Sequence, residues 1–177
     1  MSTEQIYRIH KNANGPDIGS VSADVLKVDG LYFKDLAKTG KLLPYEDWRL
    51  PVDERAKDLA SRLSIEEIAG LMLYSPHQRI PALPDGPFSG LYDGKSIFEK
   101  GCDHWDLTDQ QKVLVENDHV RHILATFMEN ADTAARWNNN LQGLAEKLPW
   151  GIPVSISSDP RHSSGNAGQE YKNGDGD

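Results

Sequence analysis

Val120-Arg121-His122-Ile123-Leu124-Ala125-Thr126-Phe127, the segment from Ala131 to Leu148, and Ile152-Pro153-Val154-Ser155-Ile156-Ser157-Ser158 follow one another and decide the fold class. The first is a mostly apolar, β-prone run bounded by polar residues, which predicts a strand. In the second, Ala134, Trp137, Leu141, Leu144, Ala145 and Leu148 recur at helical spacing and form one apolar stripe. Pro149 and Gly151 stop that helix. The third run predicts another strand, with Pro153 near its start, where a missing N–H is tolerable. Strand, helix, strand is the grammar of a parallel α/β sheet. Functional residues in such sheets sit where strands end at the carboxyl edge, and Asp159 directly follows the last strand.

Upstream, Thr108-Asp109-Gln110-Gln111 has capping-box spacing and opens a helix to about Asn117. Residues 76–106 hold four prolines and four glycines with little periodicity, and are expected to be one long loop. Leu71-Met72-Leu73-Tyr74 fits either a buried strand or the end of a preceding helix. That helix begins at Ser64-Ile65-Glu66-Glu67, where the Glu67 carboxylate can reach back to the Ser64 amide. A helix over Asp53–Leu63 comes before it, with acids first, bases later, and Ala56, Leu59, Ala60 and Leu63 on one face. Residues 1–45 are poorly periodic. Leu26 with Val28, and Leu31 with Phe33, alternate out of register across Asp29-Gly30, as two paired short strands or one bulged strand would.

The 177 residues are 38% apolar, 26% charged and 8% aromatic, ordinary proportions for a globular chain. No run approaches the roughly 20 apolar residues of a membrane helix. The start, MSTEQIYRIHKNANG, lacks a signal-type apolar core, so a cytoplasmic location is expected. Nineteen Lys and Arg against 27 Asp and Glu leave a net charge of −8, which disfavours nucleic acid as a partner. One cysteine, Cys102, excludes an internal disulfide and a thiolate metal cluster.

Three blocks carry a family resemblance. Asp53-Glu54-Arg55-Ala56-Lys57-Asp58-Leu59-Ala60-Ser61-Arg62-Leu63-Ser64-Ile65-Glu66-Glu67-Ile68 resembles the opening helix pair of glycoside hydrolase family 3. Trp137-Asn138-Asn139-Asn140-Leu141-Gln142-Gly143-Leu144-Ala145-Glu146 is similar to that family's Asn-x-Leu-Gln-x-x-Ala-Glu helix. Gly151-Ile152-Pro153-Val154, then Asp159-Pro160-Arg161-His162, resembles its Gly-Ile-Pro strand and Asp-x-x-His turn. The order is right, and the match spans residues 45–165. One departure is Ser163, where the family's turn usually has Gly after the His.

The resemblance implies a retaining β-glycosidase acting at the non-reducing end of β-glucosides, with a carboxylate nucleophile and a carboxylic acid/base. It implies that Asp159 binds hydroxyls of the terminal sugar, a task suited to a double acceptor, and that His162 supports the same turn. No cofactor and no metal are expected. The family's Ser-Asp-Trp-like nucleophile motif is missing, because Ser158-Asp159-Pro160 belongs to the earlier turn. A complete barrel takes about 200 residues or more. The expected fold is therefore α/β, an incomplete (β/α)8 TIM-type barrel. Residues 1–45 form an irregular extension, and 46–177 form the first part of a truncated barrel domain. The expected function is that of an amino-terminal fragment, inactive alone. Alternatives are a non-catalytic sugar-binding module, a half-barrel completed by a partner or by self-association at open sheet edges, and β-xylosidase or β-N-acetylglucosaminidase specificity.

Other residues have plainer expectations. Asp159 could simply cap a turn. His119 and His122 have H-x-x-H spacing without a further ligand at a usual metal spacing. His104, beside Asp103 and Asp106 in the long loop, could contact substrate or be plain loop surface, and surface is the favoured reading. Trp137 reads as core, Trp48 and Trp105 as loop aromatics able to pack or to stack on sugars. Glu66 and Glu67 read as helix-start electrostatics, and Cys102 as an unremarkable thiol.

Overall fold

A computed structural model describes residues 7–158. Eleven strands and helices run in the order β1 (Arg8–His10), β2 (Ile18–Ser20), β3 (Asp24–Val28), β4 (Leu31–Asp35), α1 (Val52–Ala60), α2 (Ile65–Leu71), β5 (Tyr74–Ile80), α3 (Asp109–Glu116), β6 (His122–Met128), α4 (Ala131–Lys147) and β7 (Ser155–Ser157). The fold is mixed α/β. Strands β5, β6 and β7 form a parallel sheet in that order, and no closed barrel exists among the described residues.

Helices α3 and α4 cover the same face of this sheet. Trp137, Leu141 and Ala145 of α4 and Val115 of α3 bury against Ile80, Ile123 and Ala125. Trp137 is fully buried, as its place on the stripe predicts, and its indole N–H donates to Gln111 Oε1 at 3.1 Å, joining the two helices. Leu124 and Thr126 alternate with Ile123 and Ala125 and so belong to the opposite face. Arg121 ties the base of the layer together. Its guanidinium donates to the carbonyls of Val115, Val120 and Ile152, and burial lowers its pKa.

The helix starts follow the capping-box reading. Ser64 Oγ accepts from the Glu67 amide while Glu67 reaches back to the Ser64 amide, and Thr108 and Gln111 repeat the exchange at α3. The loop expectation for residues 76–106 needs correction: β5 occupies Tyr74–Ile80, so the connection to α3 begins at Pro81. Pro76 lacks an N–H, but among the described residues β5 pairs only with β6, so no ladder bond is lost there on its other side. The register shifts between Tyr74 and His77, and Ser75 Oγ accepts the Leu124 N–H that the shift would leave unmet. The apolar run Leu71–Tyr74 is neither strand nor helix throughout: α2 ends at Leu71, and Met72 and Leu73 are exposed connecting residues.

Strand β7 is shorter than the Ile152–Ser158 run predicts. Gln142 on α4 takes over the backbone of Val154, accepting its N–H at 3.1 Å and donating to its carbonyl at 2.8 Å. Residues 8–35 hold two antiparallel hairpins: β3–β4 is the paired-strand alternative of the sequence reading, whereas β1–β2 falls in a stretch expected to be irregular. Asp29 and Gly30 both adopt positive φ, as a type I′ turn requires. That two-residue turn sets Leu26 opposite Phe33 and Val28 opposite Leu31. Alternation out of register along the chain thus becomes aligned across the hairpin.

Candidate functional site

The three parallel strands end at Ile80, Met128 and Ser157; Ile80 pairs with Met128, whereas Ser157 pairs with Leu124, four residues short of the end of β6. Strand polarity makes this the edge where βα connections converge. Asp159 and His162, the candidates for sugar contact, lie outside the described residues. The described chain stops at Ser158, one residue after β7.

Beyond β6, Glu129 is the first residue, and its N–H donates to the Ile80 carbonyl at 2.9 Å. Asn130 caps α4 by accepting the Thr133 amide at 2.9 Å. Glu129 Oε2 accepts from Thr133 Oγ1 at 3.1 Å and lies 2.8 Å from His104 Nδ1. The hydrogen bond from His104 holds the Glu129 carboxyl below the usual carboxylate range. His104 is exposed in a turn of the long loop, as the favoured sequence reading has it, and its ring contacts Glu129. The signal for Glu129 was present in the Glu-Asn dipeptide between strand and helix, but its partner is distant in sequence.

At the end of β5, Arg79 lies over the Phe127 ring at 3.8 Å. Its buried Nε, like the buried Nδ1 of His77, has no hydrogen-bond partner among the described residues. Trp105 is partly buried against the core, and Arg136 covers its ring at 4.8 Å, so it packs rather than offering a free sugar platform. Trp48 stacks on Phe33 with centroids 5.2 Å apart and donates to the Tyr32 carbonyl. Glu67 caps α2 and also accepts from the Trp150 indole. His122 opens β6, and His119 lies ahead of it at positive φ. No group of three metal-ligating side chains occurs among the described residues. Cys102 is half-buried beside Tyr92, Ala82 and Ile97, while His104 turns to Glu129.

A parallel α/β layer with titratable groups at its carboxyl edge is an arrangement that many enzymes use. Comparison with known proteins narrows the class. The chain is 39% identical over 142 residues to a protein of Dickeya chrysanthemi named periplasmic beta-glucosidase/beta-xylosidase, a match covering 80% of this chain and 19% of that protein. It is 33% identical over 132 residues to the probable beta-glucosidase C of Aspergillus oryzae, covering 73% of this chain and 18% of that protein. It is 31% identical over 130 residues to beta-glucosidase C of Emericella nidulans, with the same coverage of 73% and 18%. No protein-family model matches the chain. The chain is homologous to glycoside hydrolases of the β-glucosidase kind, as the family 3 resemblance of its motifs implies. It spans about a fifth of the length of the curated relatives it matches.

Proposed function

We propose that this chain is the amino-terminal part of a retaining β-glycosidase that releases sugar from the non-reducing end of β-glucosides. Residues 46–177 begin an incomplete (β/α)8 barrel, and residues 1–45 precede it as an extension. Asp159 accepts hydrogen bonds from two hydroxyls of the terminal sugar, His162 supports that turn, and the catalytic nucleophile and acid/base belong to a later part of the protein. The observation that carries this reading is the homology over four fifths of the chain to a β-glucosidase/β-xylosidase. The sequential strand order with both helices on one face supports it further, since barrels are built that way.

The test is to express the full reading frame and assay an aryl β-glucoside, following the anomer first released by NMR. Asp159→Ala is expected to lower kcat/KM by about 100-fold or more, from the loss of charge-assisted hydroxyl bonds. Unchanged kcat/KM would remove Asp159 from the site, and release of the inverted anomer would remove the retaining mechanism. Comparing aryl glucoside, xyloside and N-acetylglucosaminide separates the three specificities.

A second reading, a half-barrel completed by another chain, is favoured by one observation: β5 and β7 each pair on one side only among the described residues. Location is an equally open proposal. Among the described residues no helix is long and apolar enough to cross a membrane. The Dickeya relative is periplasmic by name, so export competes with the cytoplasmic expectation. Fractionation of the source cells decides between them.

A further inference from the structure

The connection from β1 to β2 carries Asn14-Gly15, the one asparagine followed by glycine among the described residues. Both residues are exposed at a bend. Neither the Asn14 side chain nor the Gly15 N–H has a hydrogen-bond partner among the described residues.

The residues around this pair are held. Asn12 donates to the Pro16 carbonyl at 2.8 Å, accepts the Tyr32 N–H at 2.7 Å and donates to the Tyr32 carbonyl at 3.2 Å. Its side-chain amide is thereby fully committed, and the loop is pinned on both sides of Asn14. Asn130 and Asn140 are committed in the same way, to the Thr133 amide and to the Trp105 carbonyl. Gly15 has a steric reason to be glycine. Its φ is +148°, and a Cβ there would collide with the Trp48 ring. Packing against Trp48 thus demands the one residue type that leaves the nitrogen next to Asn14 unshielded by a side chain.

Asparagine is thermolabile because its side-chain amide is an electrophile within reach of the following main-chain nitrogen. We propose that Asn14 is a site of spontaneous deamidation through a succinimide, which leaves aspartate and isoaspartate in the β1–β2 connection. The Gly15 nitrogen loses its proton to solvent and attacks Asn14 Cγ. The new N–Cγ bond forms as the Cγ–Nδ2 bond breaks, and Nδ2 takes a proton from solvent and leaves as ammonia. Water then opens the imide. Addition at Cγ restores the ordinary main chain with an aspartate side chain. Addition at the main-chain carbonyl carbon reroutes the chain through Cβ and Cγ as isoaspartate. Nothing is oxidised or reduced, and water is the sole co-reactant. Either product adds one negative charge to the formal −8. Isoaspartate also lengthens the loop by one methylene beside Trp48, which stacks on Phe33 of β4.

The test is incubation of the 177-residue chain at pH 6 and pH 8, with its fold followed in the amide spectrum. A parallel sample is unfolded in urea. Trypsin then releases Asn12–Lys27, which contains Asn12 and Asn14 as its only asparagines. Mass spectrometry is expected to find this peptide converted at Asn14 in the folded chain, with NH2 replaced by OH, and converted faster at pH 8. Chromatography is expected to resolve it into an aspartate and an isoaspartate form. Asn14→Gln is expected to lose both products. A folded chain that stays intact while the unfolded chain converts overturns the site. So does conversion at Asn12 instead, or aspartate formed without isoaspartate, since direct hydrolysis bypasses the ring.

Discussion

Glu146 joins the amino-terminal hairpins to α4 through a single carboxylate. Its Oε2 accepts the amides of Val21 at 2.8 Å and Ser22 at 2.7 Å, and its Oε1 lies 2.7 Å from Lys34 Nζ. Burial alone would raise its pKa, but Lys34 and the two amides outweigh that and bring it from an ordinary 4.5 down to about 2. A depressed folded-state pKa stabilises the fold above the unfolded value and loses that contribution as pH falls from about 4.5 towards 2. Glu146→Gln is expected to cost about 2–3 kcal/mol at pH 7, with the difference shrinking towards pH 2. Urea denaturation of both proteins at pH 7, 4.5 and 3 checks this, and an equal loss at pH 3 and 7 would refute the linkage. In the sequence, Glu146 was visible only as the last letter of a helix motif. Its partners lie more than a hundred residues away, and no local pattern announces them.

At the scale of elements, legibility followed the local physics. Helix α4 could be read from its stripe and its Pro-Gly stop, and α2 and α3 from their capping boxes. These signals act within a few residues. Strand β5 could not be read that way: Tyr-Ser-Pro-His-Gln-Arg-Ile has neither alternation nor β-branched density, and it is a strand because β6 offers a parallel edge. Gly70 shows the same tertiary override in α2. Alanine there would gain nearly 1 kcal/mol of helix propensity. Its methyl would also collide with the Asp118 carbonyl and stand 2.6 Å from His119 Cβ, where α2 crosses the turn before β6. Gly70→Ala is therefore expected to destabilise by about 1–2 kcal/mol net, lowering Tm by about 5 °C. A Tm at or above that of the parent would show that the turn gives way freely.

For the whole molecule, the open sheet is the dominant feature. β5 and β7 present unpaired edges among the described residues, and β5 carries the two buried atoms without partners, His77 Nδ1 and Arg79 Nε. The chain alone is expected to show no measurable turnover of an aryl β-glucoside and to self-associate as concentration rises. Light scattering across a dilution series and an assay of the homogeneous protein check both. A strictly monomeric species would count against exposed edges, and enzyme-like turnover would count against the division of catalytic residues proposed above.

The sequence by itself determined the α/β class and the kinship with β-glucosidases, because periodicity, caps and short motifs are encoded by neighbouring residues. Only the tertiary structure decided that a polar segment is the first parallel strand. It alone joined two amino-terminal hairpins to α4 through Glu146, and brought His104 into contact with Glu129. Each of these depends on contacts between distant segments, and such contacts come into being only when the chain is folded.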